Sequence, residues 1–215
     1  MTGTIGTVQT GDIAFDMAKR EAEVIGPRPR IAPLTVENVS VDGQRPLLEI
    51  GKAVGRDAEP TQMPEAITTV LHHPSIFRHQ MALSVELNGR GTIPPREREL
   101  AVLRTTWLCR APYAWGQHVE NARHFGIATK EVERVTHGSS ADGWSEHEAA
   151  LLRAVEELLG DQSICDETWE KLAQTWSDQQ LIELPVLVGL YFTFAMQHNS
   201  IRVGLPQGNR GLHER

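Results

Sequence analysis

The sequence predicts an all-α protein, and three observations carry that prediction. No stretch alternates apolar and polar residues in the way a half-buried strand must. From residue 61 onward the apolar residues recur at helical spacing almost without interruption. Helix punctuation also recurs: Ser145 with Glu148 and Ser177 with Gln180 form capping-box patterns, and Pro95 and Pro112 suit first turns.

The elements follow in order. Residues 12–25, "DIAFDMAKREAEVI", read as a short amphipathic helix, with a frayed tail over 1–28 as the alternative. The prolines and Gly26 of "GPRPRIAPL" favour extended chain, an arm lying across the domain or a neighbouring subunit. Two helices broken near Pro74 and ending at Gly89 come next. A helix over 95–109 follows, with Thr92 as a candidate cap, then one from Pro112 to about Gly126 and a short one from Thr129 to about His137. Ser145 opens a helix that Gly160 can stop, and Asp166 can cap "ETWEKLAQTW". The last helix runs from Ser177 to about Asn199, and the tail after it is loop-like. Three segments are expected: an N-terminal arm over 1–44, a helical domain over 45–207 and a tail over 208–215.

Composition narrows the function. The chain has 215 residues, a formal net charge of −7 and no Lys/Arg cluster, which argues against a nucleic-acid partner. Two cysteines, Cys109 and Cys165, are too few for a disulfide framework and fit a reducing compartment. No signal-peptide pattern opens the sequence, so a cytoplasmic location is expected. The longest apolar run, "LPVLVGLYFTFAM" at 184–196, is shorter than the roughly 20 residues of a membrane span. It reads as a buried core helix, and no membrane partner is expected. Nine histidines show no H-E-x-x-H and no C-x-x-C pairing, so no metal is expected. No Gly-rich phosphate loop stands in a strand–helix context either, and no cofactor is expected.

Two polar residues lie on apolar faces. At about 100° per residue, Glu99 shares an arc with Leu100, Val102, Leu103, Thr106 and Trp107, with Arg96 one turn earlier. Glu97, Arg98, Arg104 and Thr105 fall on the far side of that helix. On the next helix, His118 shares a stripe with Ala114, Trp115, Val119, Ala122 and Phe125. A connection of about two residues makes the helices antiparallel neighbours, so Glu99 and His118 face one core. A simple hairpin leaves them several ångströms apart along the axis, to be spanned by a water or a substrate. Two readings stand side by side: a buried pair that only satisfies hydrogen bonds, and a general acid/base pair whose burial brings both groups toward neutral pH. The small Ala111, Ala114 and Ala122 either leave room for a ligand or serve close helix packing. Trp115 is a candidate pocket wall, Leu103 shares the Glu99 face, and His198, at the end of the last helix, is a candidate pocket lining. Tyr113 points elsewhere, toward another helix or subunit.

The run "PPRERELAVLRTTWLCRAPYAWGQHVENARHFGI" resembles the carboxymuconolactone decarboxylase / AhpD-like (alkylhydroperoxidase-like) superfamily, and the resemblance extends over roughly residues 45–207. It implies an AhpD-like bundle of helical hairpins assembled as a homo-oligomer, a trimer or hexamer. In the peroxidase branch a glutamate is followed by a C-x-x-C and then, three residues on, a histidine. Glu99 and His118 keep the nineteen-residue spacing of that glutamate and histidine, but the cysteine positions fall on Ala111 and Ala114. Cys109 lies two residues too early to substitute in register. Disulfide-exchange peroxidase chemistry needs a thiolate and a resolving thiol. The resemblance therefore implies cofactor-independent lyase or isomerase chemistry on a small carbonyl, carboxyl or lactone substrate, with Glu99 and His118 catalytic. Trp115, Ala111, Ala114, Tyr113, Leu103 and His198 are the substrate-binding candidates. The alternatives are a thiol peroxidase using Cys109 or Cys165, and a non-catalytic small-molecule-binding protein.

Overall fold

Residues 15–39 and 64–215 of the computed structural model are described below. Among them the regular structure is helical: α1 (Met17–Val24), α2 (Glu65–Val70), α3 (Pro74–Gly89), α4 (Pro95–Leu108), α5 (Pro112–His124), α6 (Thr129–His137), α7 (Glu146–Asp161), α8 (Asp166–Ala173) and α9 (Asp178–Ile201). Short 3-10 turns occur at Val36–Asn38 and Gly211–His213. The helix expected from residue 12 and the domain boundary at residue 45 fall partly or wholly outside the described residues.

The punctuation behaves as its chemistry dictates. Both capping boxes form: Ser145 Oγ accepts from the Glu148 amide, and the Gln180 side chain accepts from the Ser177 amide. Pro95 and Pro112 each open a helix, where the missing N–H costs nothing. Three local expectations shift. Thr92 does not cap α4; its amide and hydroxyl both donate to Glu183 of α9, and Pro94 takes the N-cap position. α7 passes through Gly160 and stops at Gln162, which takes the left-handed conformation. Cys165, not Asp166, precedes the first residue of α8.

α4 is the axial helix. It packs against α5, α6, α7 and α9, so every residue from Arg98 to Thr106 is buried. This corrects the face assignment made from the helical wheel, which turned Arg98, Arg104 and Thr105 outward. A helix surrounded on all sides has no polar face, and Thr105 and Arg104 are satisfied internally. Thr105 Oγ1 donates to Ala101 O at 2.8 Å. Arg104 donates from Nε and Nη2 to Glu156 of α7 at 3.0 and 2.9 Å, and from Nη1 to the carbonyls of Val135 and Thr136. Gly138 lies against this pair at φ +87°, where any Cβ would overlap Arg104 and Glu156. Arg96, placed by the wheel beside Glu99, instead bonds Glu131 and Glu148 at the rim.

The C-terminal segment is a structural element rather than a loose tail. Leu212 is fully buried and its amide donates to Glu21 of α1 at 2.7 Å. The Trp115 indole donates to Glu214 O at 3.1 Å, and Arg215 stacks over Trp107 and Trp115. Gly116 admits this segment: a Cβ there would collide with the Asn209 carboxamide. The extended arm after α1 lies across the same subunit, with the Arg30 amide donating to Ile201 O and the Leu34 amide to Thr68 O.

α9 extends beyond its apolar run. At 24 residues it is the one helix among those described that is long and apolar enough to cross a membrane by length and composition. Leu184, Leu187, Val188 and Tyr191 are buried in the common core with α4 and α7.

Candidate active site

The turn between α4 and α5 brings the site together. Arg110 takes a left-handed backbone at φ +48°, and the Ala111 amide donates to Thr106 O. A non-glycine residue there carries strain, and the turn is held from outside. Arg20 of α1 donates to the Arg110 carbonyl at 3.2 Å, while the Arg110 guanidinium sits over the Phe15 ring.

Antiparallel packing then sets Glu99 Oε2 against His118 Nδ1 at 2.8 Å. No bridging group is needed. The two side chains reach each other directly across the offset expected of a simple hairpin. The side chains of Glu99 and His118 are 3% and 13% exposed. With Glu99 as a carboxylate, which only accepts, Nδ1 is the donor, and in a neutral ring the free lone pair is then on Nε2.

Two further groups shape this pair. Tyr191 of α9 meets the His118 ring edge-on, with centroids 4.8 Å apart and planes at 89°, and its hydroxyl donates to Asn88 Oδ1 at 3.3 Å. Burial, reinforced by the charge of Glu99, pushes the Tyr191 phenol well above its ordinary range and keeps it protonated. Arg98, next to Glu99, is 6% exposed, and its Nε has no hydrogen-bond partner. Its guanidinium lies 5.6 Å from the Phe125 ring centroid, and its charge is felt at Tyr191.

The remaining candidates separate into two groups. Ala111, Ala114 and Ala195 form a small buried cluster with Cys109 against it, so the alanines serve close packing of α5 on α9. Leu103 is fully buried in the main core, and Trp115 is fully buried against Trp107. Tyr113 and His198, by contrast, come together edge-to-face at 4.9 Å on the wall of a cavity. Sequence reasoning missed Tyr191, Asn88 and Arg98 as neighbours of the pair. A hydroxyl on the apolar face of α9 was the available signal for Tyr191. Arg98 gave none, because its helical phase pointed it outward.

The cysteines do not join this site. Burial pushes the Cys109 thiol up to about 12. Cys165 is exposed at the start of α8, with its Sγ 3.2 Å from Glu157 Oε1. Among the described residues no three His, Cys, Asp or Glu side chains gather in a metal-holding arrangement.

Residues 74–157 match the model of the carboxymuconolactone decarboxylase family, a span that holds α3 to α6, most of α7 and both members of the Glu99–His118 pair. This segment is similar to the carboxymuconolactone decarboxylase family, and the described helices have the AhpD-like fold. Solved structures with the same fold include the AhpD core of a peroxidase-related protein from Ralstonia eutropha, with a TM-score of 0.69 at 18% identity over 84% of this chain and 94% of that one. A putative antioxidant defence protein AhpD from Agrobacterium tumefaciens superposes with a TM-score of 0.58 at 22% identity over 63% of this chain and 93% of that one. The debrominase Bmp8 gives 0.67 at 14% identity over 84% and 94%. At these identities the likeness is one of fold. No curated protein matches the sequence.

Proposed function

We propose that this protein is a cofactor-independent lyase or isomerase that moves a proton on a small carbonyl, carboxyl or lactone substrate. The observation that carries the proposal is the 2.8 Å contact between Glu99 and His118 in a site nearly closed to water. Glu99 orients the ring and stabilises the imidazolium once Nε2 has taken a proton from the carbon next to the substrate carbonyl. The same Nε2 returns the proton to the product carbon. Orientation by a carboxylate and transfer by the distal nitrogen is general acid/base catalysis, worth about 10²–10⁴ in rate. The Nε–H of Arg98, buried without a hydrogen-bond acceptor, favours a substrate bearing a carboxylate, because a buried donor on a cation is costly to leave unmet.

The test is solvent deuterium incorporation into small lactone acids and keto acids, followed by NMR. Wild-type protein should label a substrate carbon, and His118→Gln should lose labelling by at least about a hundredfold while remaining folded. Unchanged labelling in His118→Gln would remove His118 from the mechanism.

Thiol peroxidase activity is the weaker reading. With its thiol near 12, Cys109 is on the order of 10⁻⁵ thiolate at neutral pH. The double Cys109→Ala, Cys165→Ala protein should consume peroxide no differently from wild type. Assembly into a homo-oligomer, a trimer or hexamer, is part of the proposal. An apolar stripe on α9, with Ile182 68% and Met196 48% exposed, supports it, and light scattering of the purified protein reads the subunit number.

A further inference from the structure

The cavity bordered by Tyr113 and His198, of about 150 Å³, opens between α2, α3, α5 and α9 and does not include Glu99 or His118. A space of this size holds a single six-membered ring. Val70, Phe77 and Met81 form its apolar side. Tyr113, Phe194 and His198 form an aromatic side, with the Phe194 and His198 rings parallel to within 4°. The Tyr191 and Phe194 rings stand between His118 and His198, linked by centroid separations of 4.8, 5.8 and 6.0 Å.

Among the described residues no charged side chain lines this cavity. Gln80 and Gln197 are tied to each other by reciprocal amide contacts at 3.3 Å. The polar groups left over are the Tyr113 hydroxyl and the imidazole of His198, whose Nδ1 is out of contact with water and has no hydrogen-bond partner. Burial also pushes this histidine down to about 4, so the ring is neutral at physiological pH. A neutral imidazole offers one donor and one acceptor, and a hydroxyl can meet either. An anion would find no cation there, and a cation no carboxylate.

We infer that this cavity is a binding site for a neutral single-ring aromatic compound carrying a hydroxyl, which inserts its ring between the apolar and aromatic sides and hydrogen-bonds His198. The inference does not rest on the proton-transfer role of Glu99 and His118. A ligand of this kind is flat enough to stack between the two sides and polar at one end only.

Phenol, toluene and benzoate are the probes, titrated into full-length protein and followed by heteronuclear NMR. Phenol should shift resonances of α2, α3 and the end of α9 in the wild-type protein and in His118→Gln alike. His198→Phe keeps a ring but removes both nitrogens, and should weaken phenol about tenfold while leaving toluene unchanged. Ile67→Trp, which fills the cavity from α2 and leaves His198 intact, should abolish binding of both. Benzoate should not compete. The inference is overturned by an absence of shifts at millimolar phenol, by phenol binding His198→Phe as tightly as wild type, or by benzoate binding as well as phenol. Loss of phenol binding in His118→Gln would instead assign the ligand to the Glu99–His118 site.

Discussion

Replacing Glu156 by Ala should cost about 3–5 kcal/mol of stability, the penalty for removing one partner of a buried ion pair. Glu156 and Arg104 have side chains only 6% and 3% exposed. The carboxylate accepts from Arg104 Nε at 3.0 Å, Arg104 Nη2 at 2.9 Å, the Ser139 amide at 2.8 Å and Ser139 Oγ at 2.6 Å. These bonds tie the axial helix to α7 and to the turn that ends α6, so the substitution strips a counter-charge and an amide acceptor from the same buried spot. At about 2–4 °C per kcal/mol for a chain of this size, the midpoint should fall by roughly 6–20 °C. Urea and thermal unfolding followed by circular dichroism measure it. The double variant Arg104→Met, Glu156→Leu should recover much of the loss, because matched apolar side chains avoid the desolvation of both charges. A single-variant loss below about 1 kcal/mol would refute the view that this pair is sealed from water and holds the three elements together.

Three other outcomes follow from single residues. Trp115→Phe keeps the ring packing but removes the donor to Glu214 O, so it should cost about 1–3 kcal/mol and speed hydrogen exchange in residues 208–215; unchanged exchange there would show that the tail is held otherwise. His198 is pushed from 6.5 to about 4 by burial, so on acidification the unfolded chain takes up its proton first. Its contribution is therefore full above about pH 6.5 and lost as the pH falls to about 4, up to roughly 3 kcal/mol in all; His198→Phe should flatten that part of the stability–pH curve, and an unaltered curve would contradict the neutral buried ring. Iodoacetamide at neutral pH should label exposed Cys165 well before Cys109, whose thiol lies near 12, as read by peptide mass spectrometry; the reverse order would restore Cys109 as a candidate nucleophile.

The helical class, the order of the helices and the pairing of Glu99 with His118 were legible in the sequence because they depend on local chemistry. Capping boxes, prolines at first turns and the phase of polar residues within an apolar stripe act over one or two helical turns. A two-residue connection forces consecutive helices together, so a site built from neighbours in sequence can be deduced. Arg98 and Arg104 could not be placed that way. Whether a helix has an outward face depends on how many neighbours surround it, and α4 has neighbours on every side. The packed C-terminal segment was equally hidden, since its anchors on Glu21 and Trp115 lie 191 and 99 residues away along the chain. Tertiary structure alone decided that Ala111 and Ala114 pack against Ala195 while Tyr113 and His198 border an open cavity, because only the crossing of α9 over α5 determines where side chains fill space and where they leave it.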